Sequence, residues 1–315
     1  LILLKFPQEE SLKVFITGGT GFVGRSLAHA LIAQEHSVTV LSRRIPREGR
    51  IPGVSYIGGN PAEEGQWQSD LADFDAIVNL AGSSIFSRWS AGAKHEIRTS
   101  RINATKNIVN ALPEYQETGK QITLVSGSAI GFYGARSDRG ITEETPVGKG
   151  FLASVAQEWE EAAMEAAAKG VRVVLCRLGV VLGRNGGAMG KMLTPFKWGV
   201  GSPLGSGKQW FSWIHIDDLV NIFLYVLKQQ EISGPVNCTA PNPITNMEMS
   251  KTLGKTLGRP VFLPAIPSIV AKILLGEFSS VFLEGQHVIP AKLLQDNFVF
   301  QYPELSAAFA DLVSK

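Results

Sequence analysis

Apolar residues along the chain gather into short continuous runs separated by longer stretches of helical spacing. Val14-Phe15-Ile16, Ser37–Ser42, Asp75–Gly82, Gln121–Ser126 and Val171–Arg177 are the runs, each of the length and apolar density of a strand buried on both faces. Between them, Arg25–Ile32 takes up a helical period, a helix is predicted from about Lys94 to Ala111, and the Ala- and Glu-rich stretch Phe151–Lys169 predicts another. Strands alternating with helices of these lengths predict an α/β fold, a Rossmann-like doubly wound parallel sheet. Right-handed crossovers would then set the strand ends along one edge.

The first of these units carries the strongest chemical signal. Leu12–Gly24 reads LKVFITGGTGFVG, an apolar run that breaks into Gly18, Gly19, Gly21 and Gly24 before the helix begins. Glycine permits a tight turn, keeps side chains away from an approaching pyrophosphate and lets helix and strand pack closely, while the helix N-terminus presents free N–H groups to the anion. A dinucleotide is the expected ligand, with Gly18, Gly21 and Gly24 at its phosphates.

Beyond Gly183 the pattern changes. Gly and Pro punctuate the chain up to a helix at Asp217–Gln229, and from about Asn242 shorter helices are interrupted by Pro260, Pro264, Pro267 and Pro290. The expected organisation is a dinucleotide-binding domain over 11–183, completed by about 211–240, and a smaller substrate or cap domain from 184–210 and 241–315. A cap over the crevice is a common place for substrate specificity.

Composition narrows the picture further. The chain has 315 residues, 44% hydrophobic and 18% charged with a net charge of +2, as expected of a soluble globular protein. Its basic residues are dispersed along the sequence, so neither nucleic acid nor a membrane surface is expected as a partner. Cys176 and Cys238 stand far apart in apolar runs, which suits a reducing, cytoplasmic setting and no disulfide framework. The opening Leu1-Ile2-Leu3-Leu4 is shorter than a signal-peptide core, and no run reaches the length of a membrane span. Five scattered histidines give no metal-ligand spacing.

The second strand ends in Ser42-Arg43-Arg44, where an NAD site would place an Asp or Glu on the ribose. An Arg there can pair with the 2′-phosphate of NADP, and Ser42 can add a hydroxyl donor. NADP (NADPH) is therefore the expected cofactor, the alternative being two solvated arginines after a strand.

Thr17–Gly24, Asn79-Leu80-Ala81-Gly82, the segment from Ser126 and Ser128 to Tyr133-Gly134, and Trp213–Leu219 together resemble the extended short-chain dehydrogenase/reductases, the NAD-dependent epimerase/dehydratase family. Arg177–Gly183, Gly186–Met189 and Leu283–Gln286 resemble more narrowly a subgroup labelled cell-division inhibitor or NADP-dependent oxidoreductase. The resemblance spans nearly the whole chain. It implies that Leu80, Ala81 and Gly82 lie beneath the adenosine and pyrophosphate, that Phe22 and Val23 donate backbone N–H groups, and that Val180 and Val181 approach the nicotinamide. Glu96 and Arg101 match positions near the cofactor, or form a surface pair on their helix.

The family pattern departs at its catalytic residues. Family dehydrogenases use a Ser or Thr with Tyr-x-x-x-Lys, the Lys cation drawing the Tyr pKa down from about 10. The matching stretch here is Phe151-Leu152-Ala153-Ser154-Val155, which holds neither group. Tyr133 and Ser128 are the expected substitutes, unless Tyr133 walls a pocket and Ser128 satisfies a turn. His215 could serve as acid or base, but His215 and Asp217 read first as a helix cap with Asp217 in the capping place, and Trp210–Trp213 either walls an apolar substrate or fastens the cap to the sheet, the second being the default. The expected function is an NADP-dependent oxidoreductase acting on a small alcohol or carbonyl. A non-catalytic NADP-binding regulator or scaffold is the alternative, with an epimerase third and a homodimer left open.

Overall fold

β1 (Lys13–Thr17), α1 (Phe22–Ala33) and β2 (Ser37–Ser42) form the first parallel unit of the computed structural model. The structure describes residues 11–136, 140–184, 186–259 and 261–314; the Leu1–Leu4 run and the Pro260 break lie outside them. β3 (Val54–Gly58) adds an outer strand that the apolar pattern does not announce, because its side chains are half-buried or exposed throughout. An edge strand needs only one partner and little apolar surface.

On the other side of β1 come β4 (Ala76–Asn79), α2 (Ala91–Ala111), a single turn α3 (Tyr115–Thr118), β5 (Thr123–Ala129), α4 (Phe151–Met164) and β6 (Arg172–Leu178). α2 starts at Ala91, ahead of the expected Lys94, because Ser90 Oγ accepts the Ala93 N–H at 3.2 Å and caps it there. The expected helix 151–169 is α-helical only to Met164 and then tightens into a 3₁₀ turn over Glu165–Lys169. β5 runs on to Ala129, which puts Ser128 inside the sheet beside Arg177 of β6.

The chain then leaves the main sheet through β7 (Val180–Gly183), β8 (Gly186–Gly187) and α5 (Met189–Lys197). It returns by way of β9 (Trp210–Phe211), β10 (Trp213–His215), α6 (Ile216–Lys228) and β11 (Gly234–Cys238). β12 (Ile244–Thr245), α7 (Asn246–Thr256), α8 (Ser268–Leu275), α9 (Ser280–Leu283), α10 (Ala291–Gln295) and α11 (Leu305–Val313) complete the C-terminal part. The seven strands of the main sheet run β11-β6-β5-β4-β1-β2-β3, all parallel. This is a Rossmann-like doubly wound sheet with a smaller C-terminal part.

Alternate residues of β1 feed two cores. Val14 and Ile16 pack with Leu27, Leu31 and Phe223 from α1 and α6, while Phe15 packs with Ile108, Leu124 and Leu175 on the opposite face. A third core joins β7, β10, α7 and α11 through Leu182, Trp213, Leu253 and Phe309. Trp213 is fully buried there and donates its Nε1–H to Asn242 O at 3.3 Å. It fastens the C-terminal part to the sheet.

α6 carries two departures from simple helix chemistry. Its cap is His215, in extended conformation, whose Nδ1 accepts the Asp217 N–H at 3.1 Å; Asp217, expected in that role, sits one residue inside the first turn. Asp218 is fully buried and accepts the backbone N–H groups of Gln301 at 2.7 Å and Tyr302 at 2.9 Å. Burial pushes its carboxyl up to about 6 against those donors. Because the folded pKa lies above the unfolded one, this group's stabilising contribution is complete below about pH 4 and is lost as pH rises through about 6, a difference of about 3 kcal/mol. Urea unfolding at pH 4 and pH 7 should therefore show Asp218→Asn losing less stability across that interval than the parent protein; equal losses would remove Asp218 as the source.

Candidate active site

The ends of β1 and β4 meet where the strand order reverses, the place where open α/β sheets bind their ligands. Gly18 follows β1 with a φ of 71°, and a Cβ built on it would lie 2.4 Å from Leu80 O. Gly24 is constrained in the same way, 2.4 Å from Gly18 O. Only glycine at both positions lets β1, α1 and the end of β4 close on one another. The Gly21 N–H donates to Gly18 O at 2.9 Å to close the turn. Gly21 is the N-cap of α1 and no side chain caps that helix, so its first-turn N–H groups, including those of Phe22 and Val23, are left to a ligand or water.

Fully buried Asn79 ties the two strand ends together. Its Oδ1 accepts Thr17 Oγ1–H at 2.7 Å and its Nδ2 donates to Thr105 Oγ1 at 2.8 Å. Its role was not anticipated, although a polar residue closing an apolar strand was visible in the sequence. The Phe22 ring lies against a second set of glycines. Cβ atoms at Gly183 and Gly186 would each come within 2.4 Å of it, so the β7–β8 hairpin with Val180 and Val181 is seated on the first turn of α1.

Leu80 is half-buried, Ala81 buried and Gly82 exposed along the rim. A Cβ at Gly82 would stand 3.0 Å from the Arg101 guanidinium carbon. Arg101 donates to Ile97 O at 2.8 Å and Ser83 O at 3.0 Å, and Glu96 accepts Ser83 Oγ–H at 2.8 Å. The two do not pair with each other; both brace the loop after Gly82. Among the described residues Arg101 meets backbone carbonyls and the Trp159 ring, and burial lowers its pKa to about 10. At the end of β2, Arg43 and Arg44 are exposed. Ser42 is buried and donates its hydroxyl to Arg44 O at 2.7 Å, so here its proton braces the arginine loop.

Residues 14–238 match the model of the NAD dependent epimerase/dehydratase family, and 266–312 match a domain of unknown function. The chain belongs to the NAD dependent epimerase/dehydratase family. The Arabidopsis thaliana epimerase family protein SDR39U1 homolog, chloroplastic, is 42% identical over 303 residues, covering 96% of this chain and 87% of the relative. Bacillus subtilis epimerase family protein YfhF is 36% identical over 309 residues, covering 96% and 98%. A crystal structure of human epimerase family protein SDR39U1 (isoform 2) with NADPH superposes with a TM-score of 0.82 at 35% identity, over 96% of this chain and 99% of that one. One relative is chloroplastic by name, so a cytoplasmic setting does not carry over from the relatives. No helix among the described residues is long and apolar enough to cross a membrane, and no group of three or more His, Cys, Asp or Glu among them is placed to hold a metal.

Phe151, at the start of α4, belongs to an apolar wall. Phe151 packs on Trp89 at 5.2 Å between ring centroids, and Trp89 on Phe278 at 5.8 Å. Val155 is buried. Lys94 Nζ lies 5.3 Å from the Phe151 ring centre and pairs with Glu277.

The expected substitutes, Ser128 and Tyr133, stand in other contacts. Ser128 and Tyr133 are 3% and 0% exposed, inside a network organised by Arg177. Ser128 Oγ donates to Glu160 at 2.6 Å, and Arg177 holds the same carboxylate with two bonds of 2.8 and 2.7 Å. Arg177 also donates to Tyr133 Oη at 2.9 Å, while that hydroxyl donates to Asn237 Oδ1 at 2.6 Å. Burial raises the Tyr133 pKa, and Arg177 offsets this only in part, the opposite of what a proton-transfer Tyr requires. Both hydroxyls are spent on holding β5, β6 and β11 together.

Removing one partner of this pair strands a buried charge. Glu160→Gln should lower unfolding free energy by about 3–5 kcal/mol, and Tyr133→Phe by about 1–3 kcal/mol, in urea titrations at neutral pH. A Tyr133→Phe protein of unchanged stability would contradict the structural role.

Proposed function

We propose that the protein is an NADPH-dependent oxidoreductase of the extended short-chain dehydrogenase type, acting on a small carbonyl or alcohol. The observation that carries this reading is the exposed Arg43-Arg44 pair at the end of β2, where no carboxylate stands, beside an uncapped α1. Two cations suit a 2′-phosphate, which an acidic residue there would repel. The donor set fits the cofactor. Gly18, Gly21 and Gly24 clear the space, Phe22 and Val23 offer N–H groups to the pyrophosphate, Leu80, Ala81 and Gly82 line the adenosine side, and Val180 and Val181 the nicotinamide side. Arg101 and Glu96 position the loop after Gly82. The human relative crystallised with NADPH supports the same assignment.

Bound NADPH supplies a hydride. The protein must then exclude water and provide a proton for the carbonyl oxygen. Trp89, Phe151 and Phe278 supply the water-excluding wall, and Lys94 is the ionisable group set beside it. In this reading the Lys94 ammonium replaces the family Tyr as proton donor, with Glu277 from the C-terminal part as its counter-ion. Phe151 and Val155 also support the second reading, a protein that binds NADPH without turnover and reports it by a change of conformation.

Titration of cofactor-free protein with NADPH and NADH tests the cofactor. Arg43→Asp should weaken NADPH at least about tenfold and NADH by about twofold or less; unchanged NADPH affinity would remove the phosphate contact from Arg43. NADPH oxidation against a panel of small aldehydes and ketones tests the chemistry. Lys94→Met should lower kcat/KM by about 100-fold or more with NADPH affinity kept. NADPH binding without turnover across the panel would favour the second reading.

A further inference from the structure

Among the described residues, eight of the thirteen large exposed apolar side chains gather in one part of the chain, while Ile45, Tyr115, Met164, Leu294 and Val299 lie elsewhere. Trp198 (81% exposed), Phe262 (75%), Ile269 (68%) and Ile273 (70%) stand out, and Val200, Leu263, Ile266 and Val270 lie around them. All fall in two segments of the C-terminal part that are bound to one another. Ser202 Oγ donates to Pro264 O at 2.6 Å, Ile266 N to Pro203 O at 2.9 Å, and Gly205 N to Ile266 O at 2.8 Å. Ile269 and Ile273 are four residues apart on α8 and so share one face. A patch of this kind marks an interaction surface.

Charge says which kind. Of 315 residues, 28 are Asp or Glu, yet none lies between Arg184 and Asp217 or between Glu248 and Glu277. In those same stretches Lys197, Lys208, Arg259 and Lys272 are exposed, Lys197 beside Trp198 and Lys272 beside Ile273. Two apolar segments with a Trp and exposed lysines and no carboxylate of their own, Glu277 beyond α8 being paired with Lys94, match the interfacial region of an anionic bilayer: the apolar side chains enter the acyl boundary and the lysines meet the headgroups. A second copy of the chain would bring the same cations to face each other.

We propose that this face, formed by α8 and the loops around Trp198 and Phe262, docks the protein on the surface of an anionic lipid membrane without crossing it. The basic residues are dispersed in sequence and gave no sign of this; Lys197 and Lys272 lie in the two segments that the hydrogen bonds of Ser202, Gly205 and Ile266 hold together. α8 runs directly into Glu277 and Phe278, so docking would put the membrane next to the aromatic wall.

Flotation of the full chain with vesicles tests the proposal. Binding is expected to phosphatidylcholine vesicles containing phosphatidylglycerol, far less to phosphatidylcholine alone, and to weaken from 0.1 M to 1 M salt as the screening length falls from about 10 Å to about 3 Å. Ile269→Asp/Ile273→Asp should reduce the partition about a hundredfold or more, and Lys197→Glu/Lys272→Glu should abolish the preference for anionic vesicles. Unchanged circular dichroism and melting temperature establish that each variant is folded. Failure of the parent protein to float with anionic vesicles would overturn the proposal, as would equal binding to neutral ones. A concentration-dependent dimer that the isoleucine variant dissolves, with no lipid binding, would assign the face to a second copy instead.

Discussion

A guanidinium buried in the middle of the sheet must be neutralised where it stands, because leaving a charge uncompensated in the interior costs several kcal/mol. Arg177 on β6 sets that condition for much of this fold. Glu160 reaches it from α4, Tyr133 from the turn after β5, and Glu143 O from the loop beyond, while the Phe132 ring lies 3.6 Å over its carbon. Burial works against the Arg177 charge, and the Glu160 carboxylate outweighs it and keeps the pKa raised. One ion pair thus fixes the distance between α4 and the sheet. It also determines where Phe151, at the start of α4, meets the crevice.

Steric clearance fixes the rest of the site. Gly18 and Gly24 bring the α1 N-terminus against the end of β4, and Gly183 and Gly186 seat the β7–β8 hairpin on Phe22. The chain therefore positions its anion-binding helix end by the absence of side chains on two sides. Asn79 joins β1 to β4 by hydrogen bonds at the same level. None of these constraints needs a ligand to be satisfied, which is the condition for a site preorganised before binding.

The glycine turn and the parallel sheet were legible because their requirements fall on residue identity: close backbone approach demands glycine, and a doubly covered strand demands a continuous apolar run. β3 was not legible, since an edge strand of half-exposed residues carries no such run. The buried partners of Ser128 and Tyr133 were not legible for a different reason. A hydroxyl at the end of a strand has the same sequence signature whether it faces a ligand or a buried charge, and what decides here is Glu160, 32 residues after Ser128 in sequence. An Arg ending the apolar run Val171–Arg177 was the available warning, since a buried Arg requires a carboxylate partner.

The apolar wall at Phe151 changes what the C-terminal part has to do. Lys94 on α2 and Glu277 on the segment after α8 form an ion pair against that wall. Their ion pair spans the boundary between the two parts. Coulombic attraction at contact weakens steeply when water enters between the partners, so a shift of the C-terminal part would alter the field at Phe151 without moving a residue of the sheet. The pair stands at the solvent edge of the wall, Glu277 being 65% exposed, and the Phe278 ring beside it packs on Trp89, so the C-terminal part supplies both the counter-ion of Lys94 and one ring of the wall.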